Sequence, residues 1–80
     1  MTAVRVVREV MTENVDMTTG DLWLAWETTV EARGADGRTY PMGISAAPGM
    51  GETEPTRARC RRIAAGGLEL KMRHLGVWED

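Results

Sequence analysis

Ser45, Cys60 and His74, the residues of a Ser or Cys nucleophile and its imidazole base, are each the only residue of their kind in this sequence. Acyl transfer by a Ser or Cys needs a base within hydrogen-bond reach and a third group to orient that base. With one residue of each kind and no supporting motif, a triad is not expected. Gly43-Ile44-Ser45 has half of a nucleophile elbow, but the second glycine is missing and the chain is too short for the sheet that motif serves. A zinc site needs three or four converging ligands, and one Cys with one His cannot close it. His74 reads as a half-buried or strand-end histidine.

Gly49-Met50-Gly51-Glu52-Thr53 resembles a phosphate-cradling turn, yet it lacks a Lys, and Glu52 and Glu54 would repel phosphate. No metal and no cofactor is expected. These exclusions leave binding, and two surfaces carry the right residue types. Trp23 falls on the polar parity of its strand together with Glu27 and Glu31, and an outward Trp is enriched at interface hot spots. Covering by the N-terminal segment or by Trp78 is the structural alternative. Met50, Glu52 and Glu54 extend this surface as an adaptable acidic loop, giving the expected partner-binding set Trp23, Glu27, Glu31, Met50, Glu52 and Glu54. The second surface is basic: Arg57, Arg59, Arg61 and Arg62, continued by Lys71 and Arg73. Guanidinium forks bind phosphate, so this cluster is the alternative, nucleic-acid-binding reading.

Ten basic and twelve acidic residues give a net charge of −2, which weighs against sequence-independent nucleic-acid binding. The charge is split, with −5 on residues 1–56 and +3 on residues 57–80, so the halves are expected to neutralise each other on folding. Eighty residues make one small domain, 1–80, in which most apolar side chains are needed for the core. A lone Cys60 forms no internal disulfide and points to a reducing, cytoplasmic setting. No apolar run reaches the ~20 residues of a membrane span, and the first residues lack a signal-peptide stretch, so the mature chain is expected as it stands.

These residues must be positioned by a few short elements. Val4–Met11 is read as a strand because of its four Val, although Val4, Val7 and Met11 also line one helical stripe, so a helix is the alternative. Leu22, Leu24, Trp26, Thr28 and Val30 alternate with Trp23, Ala25, Glu27, Thr29 and Glu31, which is strand periodicity. Gly34-Ala35-Asp36-Gly37 fits a type I turn closed by a left-handed glycine, and a return strand through Thr39, Tyr40, Met42 and Ile44 follows, which either lies at a sheet edge or turns Pro41 away from its neighbour. Residues 46–53 read as a mobile loop. Pro55 at a first helical position, with Thr53 or Glu54 capping, and Gly66-Gly67 as a stop predict a helix over 55–65, with Thr56, Cys60, Ile63 and Ala64 inward. Leu68, Leu70 and Met72 alternate with charges and predict a last strand.

The expected fold is α+β, a small antiparallel sheet in the order β-β-β-α-β with one helix packed on one face. Because Arg57, Arg59 and Arg61 also alternate with period two, an all-β five-stranded small barrel is the alternative. The expected function is non-enzymatic: a small module that binds another protein or a protein–nucleic acid complex one-for-one. Its narrowest form is an anti-CRISPR-like inhibitor from a phage or mobile element that blocks a host defence complex. A homodimer is also expected from the open sheet edge.

Overall fold

The computed structural model describes residues 1–46 and 57–80. Three strands and one helix follow in chain order: β1 (Arg5–Val15), β2 (Leu22–Arg33), β3 (Thr39–Ala46) and α1 (Arg57–His74). The strands form an antiparallel sheet in the order β1-β2-β3, and α1 lies across one face of β2 and β3.

Valine-rich β1 is a strand, as its β-branched residues predict, and runs to Val15. A bulge between Val6 and Arg8 lets Val6 face Val30 while Arg5 and Arg8 oppose Glu31 and Thr29. Both arginines therefore point away from the helix. The β2–β3 turn has the expected geometry: the Gly37 N–H donates to the Gly34 carbonyl (3.0 Å), and Gly37 sits at φ +82°. The Gly34 N–H donates to the Arg38 carbonyl (2.8 Å). Counting along the ladder from that bonded pair places Pro41, opposite Glu31, at a non-hydrogen-bonded position. Its missing N–H thus faces the outer edge of β3, where no ladder bond is lost.

The last element departs from expectation. Gly66-Gly67 does not stop the helix, and Leu68, Leu70 and Met72 lie in α1, not in a fifth strand. The order is β-β-β-α, and the described residues contain three strands in an open sheet, not a five-stranded barrel. Packing explains the difference. Cys60, Ala64, Leu68 and Met72 recur every four residues and are fully buried, the last three packed with Val30 and Ala32 and flanked by Val4, Tyr40, Met42, Ile44, Val77 and Trp78. Burying Leu68 and Met72 contributes about 1.5–3 kcal/mol each, more than the ~1 kcal/mol that each helical glycine costs. The actual stop is a Schellman motif at Gly76 (φ +74°): Val77 N–H donates to the Met72 carbonyl (3.0 Å) and Gly76 N–H to the Arg73 carbonyl (3.1 Å).

Smaller corrections follow from the same helix. Ile63, expected inward, is 45% exposed. His74 is an exposed residue of the last helical turn, not a half-buried or strand-end one. Ala46 ends β3, while the rest of the expected mobile loop, the Pro55 helix start with its Thr53 or Glu54 cap, and Thr56 fall outside the described residues.

Beyond α1 the chain is tied back to the sheet. Ala35 N–H donates to the Val77 carbonyl (2.8 Å), and the Thr2 N–H donates to the Glu79 carbonyl (2.7 Å). The helix starts over Trp26 and ends near the Gly34 turn, so it leaves the far part of the β1–β2 hairpin uncovered. We call this projection the arm. Strands of 11 and 12 residues give the molecule its 46 Å long axis, against 22 and 20 Å across.

Candidate functional site

Because α1 covers one side of the sheet, the residues of opposite parity form an open face. Register places Trp23, Ala25, Glu27, Thr29, Glu31 and Arg33 of β2 on it, between Arg5, Arg8, Val10, Thr12 and Asn14 of β1 and Thr39, Pro41, Gly43 and Ser45 of β3, and of these Ala25 is fully buried. Three of the expected partner-binding residues, Trp23, Glu27 and Glu31, are thus brought together on one surface. Met50, Glu52 and Glu54 lie outside the described residues.

Trp23 is 43% exposed at the arm end of this face. Trp78 does not cover it, because its ring lies against the Arg73 guanidinium (5.4 Å) beside the Thr2–Glu79 tie. Midway along the face is a shallow concavity lined by Arg8, Glu27, Thr29, Gly43 and Ser45, with the backbone of Thr28 and Ile44 as its floor. The concavity exists because Gly43 has no side chain. A Cβ there would meet only Thr29 Oγ1, at 3.9 Å, so the fold does not require the glycine. Toward the Gly34 turn, Arg5 Nε donates to Glu31 Oε1 (2.9 Å), fixing Glu31 across the β1–β2 ladder. Sequence periodicity located Trp23, Glu27 and Glu31. It missed Arg5, Arg8 and Gly43, since the bulge in β1 and the pairing of β3 decide their side.

The basic cluster is dispersed. α1 fans its arginines around the axis, and the row of Arg57, Arg59 and Arg61 that a strand would give does not form. Several are also engaged. Arg57 stacks over Trp26 (5.5 Å to the ring centroid), and Arg61 donates to both oxygens of Glu9 at 2.6 Å. Arg73 donates to Glu69 (3.0 Å) and Asp80 (2.7 Å). Arg62 and Lys71 are exposed. The Glu9 carboxyl is held below its usual range, chiefly by the Arg61 hydrogen bonds, and Asp80 likewise by Arg73. The basic and acidic halves of the sequence meet in these contacts.

The reactive types are separated. Cys60 is buried, with Sγ 3.3 Å from the Trp26 carbonyl and 3.7 Å from that of Ile44. Ser45 is on the opposite face of the sheet. His74 stands fourteen residues further along α1, about 21 Å along the axis. Among the described residues no three His, Cys, Asp or Glu side chains converge to hold a metal, and no helix is long and apolar enough to cross a membrane.

Comparison of the chain with known protein families, curated proteins and solved structures finds no match. The functional reading therefore rests on the surfaces alone. Of these, the open face combines an exposed Trp, charges of both signs, and a concavity the fold does not need.

Proposed function

We propose that this chain is a non-enzymatic module that binds another protein one-for-one through the open face of its sheet. The observation that carries this reading is the grouping of Trp23, Glu27 and Glu31 with the Gly43 concavity on the side α1 leaves bare. A half-exposed Trp beside a concave, mixed-charge surface is the composition of an interface core with a polar rim. The distance between Cys60 and His74 along α1 supports a binding rather than a catalytic role. The dispersal of the arginines favours a protein partner over direct nucleic-acid contact.

The narrower form, a mobile-element inhibitor that blocks a host defence complex, is supported by small size only. It predicts that one molar equivalent silences a defence nuclease and that turnover of a substrate is never seen.

The test is capture of the partner from the native cell followed by titration calorimetry with Trp23→Ala and Gly43→Leu. Both positions are dispensable for the core, and each variant is expected to weaken binding at least about tenfold, the range of an interface hot spot. Reversal of Arg59 and Arg62 is expected to leave affinity intact. If only the arginine reversal weakens binding, with a steep fall in affinity at moderate salt, the nucleic-acid reading replaces this one.

A further inference from the structure

The helix-side face of the arm is largely apolar and, among the described residues, uncovered. Met11 and Val15 of β1 lie beside Trp26 and Leu22 of β2, and Leu24 beside Glu13. Leu22 is 70% exposed, Val15 53% and Met11 41%. This surface is distinct from the open face, since it lies on the opposite parity of the same strands.

We propose that a second copy of this chain occupies the face, in a two-fold dimer in which each arm lies across the other. Three observations point to this occupant. The first is shape. A helix with its side chains is about 10–12 Å across, and two packed sheets lie about 10 Å apart, so the step from α1 down to the arm is one sheet layer deep. The second is area. The chain exposes 5591 Å², about 800 Å² more than the roughly 4,800 Å² typical of a compact monomer of this mass, and one partner in a standard interface buries about 800 Å². Its radius of gyration is 14.9 Å, against about 12 Å for compact chains of this length. The third is charge. The wall of the step is the start of α1, whose first turn has no acid and carries Arg57 and Arg59 at the positive pole of the helix. The arm ends in the Asp16–Asp21 turn, held by Asp16 Oδ1 accepting from the Thr18 N–H (2.8 Å), with Asp21 presented beside it. A two-fold arrangement that lays arm on arm brings each acidic tip to the partner's basic helix start. Glu13, opposite Leu24 and between Met11 and Val15, is the one acid on this face and lies on edge strand β1. The open faces, with both Trp23 rings, then point outward on opposite sides.

Sedimentation equilibrium of the full chain at micromolar concentration tests the proposal, with a mass twice 8.8 kDa expected. Leu22→Glu with Leu24→Glu, both at exposed positions, should return the mass to that of one chain with an unchanged circular dichroism spectrum. Asp21→Arg and Arg57→Glu should each raise the dimer dissociation constant about tenfold, and an equimolar mixture of the two should recover it, because both tip-to-helix contacts are then attractive. A wild-type chain that stays monomeric overturns the proposal, as does a dimer indifferent to the leucine changes or a mixture that does not recover. None of these outcomes bears on partner capture by the open face, which Trp23→Ala reports.

Discussion

Arg61 of α1 grips Glu9 of β1 through two hydrogen bonds of 2.6 Å. The glutamate side chain is 14% exposed and the arginine 48%. β1 is otherwise held almost wholly through β2, so this contact fastens an edge strand directly to the helix.

The first prediction concerns acid and alkali. Arg61 lowers the Glu9 pKa, the Tyr40 hydroxyl lowers that of Asp36, and Arg73 lowers that of Asp80. A carboxyl depressed in the folded state contributes stability that is full above its unfolded pKa and lost as pH falls through the folded one. Tyr40 is shifted the other way, its pKa raised by the hydrogen bond to Asp36. Its contribution is full below the unfolded pKa and lost as pH rises through the folded value. These groups should therefore give a plateau between about pH 5 and about pH 9 with a fall on either side. A series of thermal midpoints against pH checks this, and Glu9→Gln should make the acid limb shallower.

Gly66 lies in the helix interior, and a Cβ there would meet no atom within 4 Å. Gly66→Ala should raise stability by about 0.5–1 kcal/mol, read as a higher urea midpoint with an unchanged slope. A turn glycine between a helix and a strand would instead be damaged by the same change.

Gly34 is the opposite case. A Cβ would sit 2.7 Å from Asp36 Oδ1, 2.9 Å from Tyr40 Cε2 and 3.1 Å from Val77 Cβ. Gly34→Ala should cost about 1–3 kcal/mol through overpacking. Gly37→Ala, with open space but φ +82°, should cost about 1 kcal/mol through backbone strain alone. Chemical denaturation of the two variants separates steric from conformational loss.

Thr28 is fully buried beneath α1, and among the described residues its Oγ1 has no hydrogen-bond partner. Thr28→Val keeps the shape and removes the unsatisfied hydroxyl, so a gain of about 1 kcal/mol is expected. An unchanged or lower midpoint would show that the hydroxyl is satisfied after all.

By itself the sequence determined what is local. The alternation of Leu22 through Val30 with its intervening residues, the β-branched run of β1 and the Gly37 turn all act within a few residues, so they specified the strands and the β2–β3 hairpin and put Trp23, Glu27 and Glu31 on one face. Tertiary structure decided what depends on distant partners. Leu68, Leu70 and Met72 satisfy a strand pattern and a helical one alike; the helix prevails because only it sets Leu68 and Met72 beside Cys60 and Ala64 on the sheet, while Leu70 turns outward, 72% exposed. The helix end moved from Gly66-Gly67 to Gly76 for the same reason: burial of that stripe outweighs two unfavourable glycines. Where the helix begins, over Trp26, also left the arm bare, and no local pattern in Leu22 or Leu24 distinguishes a covered leucine from an exposed one.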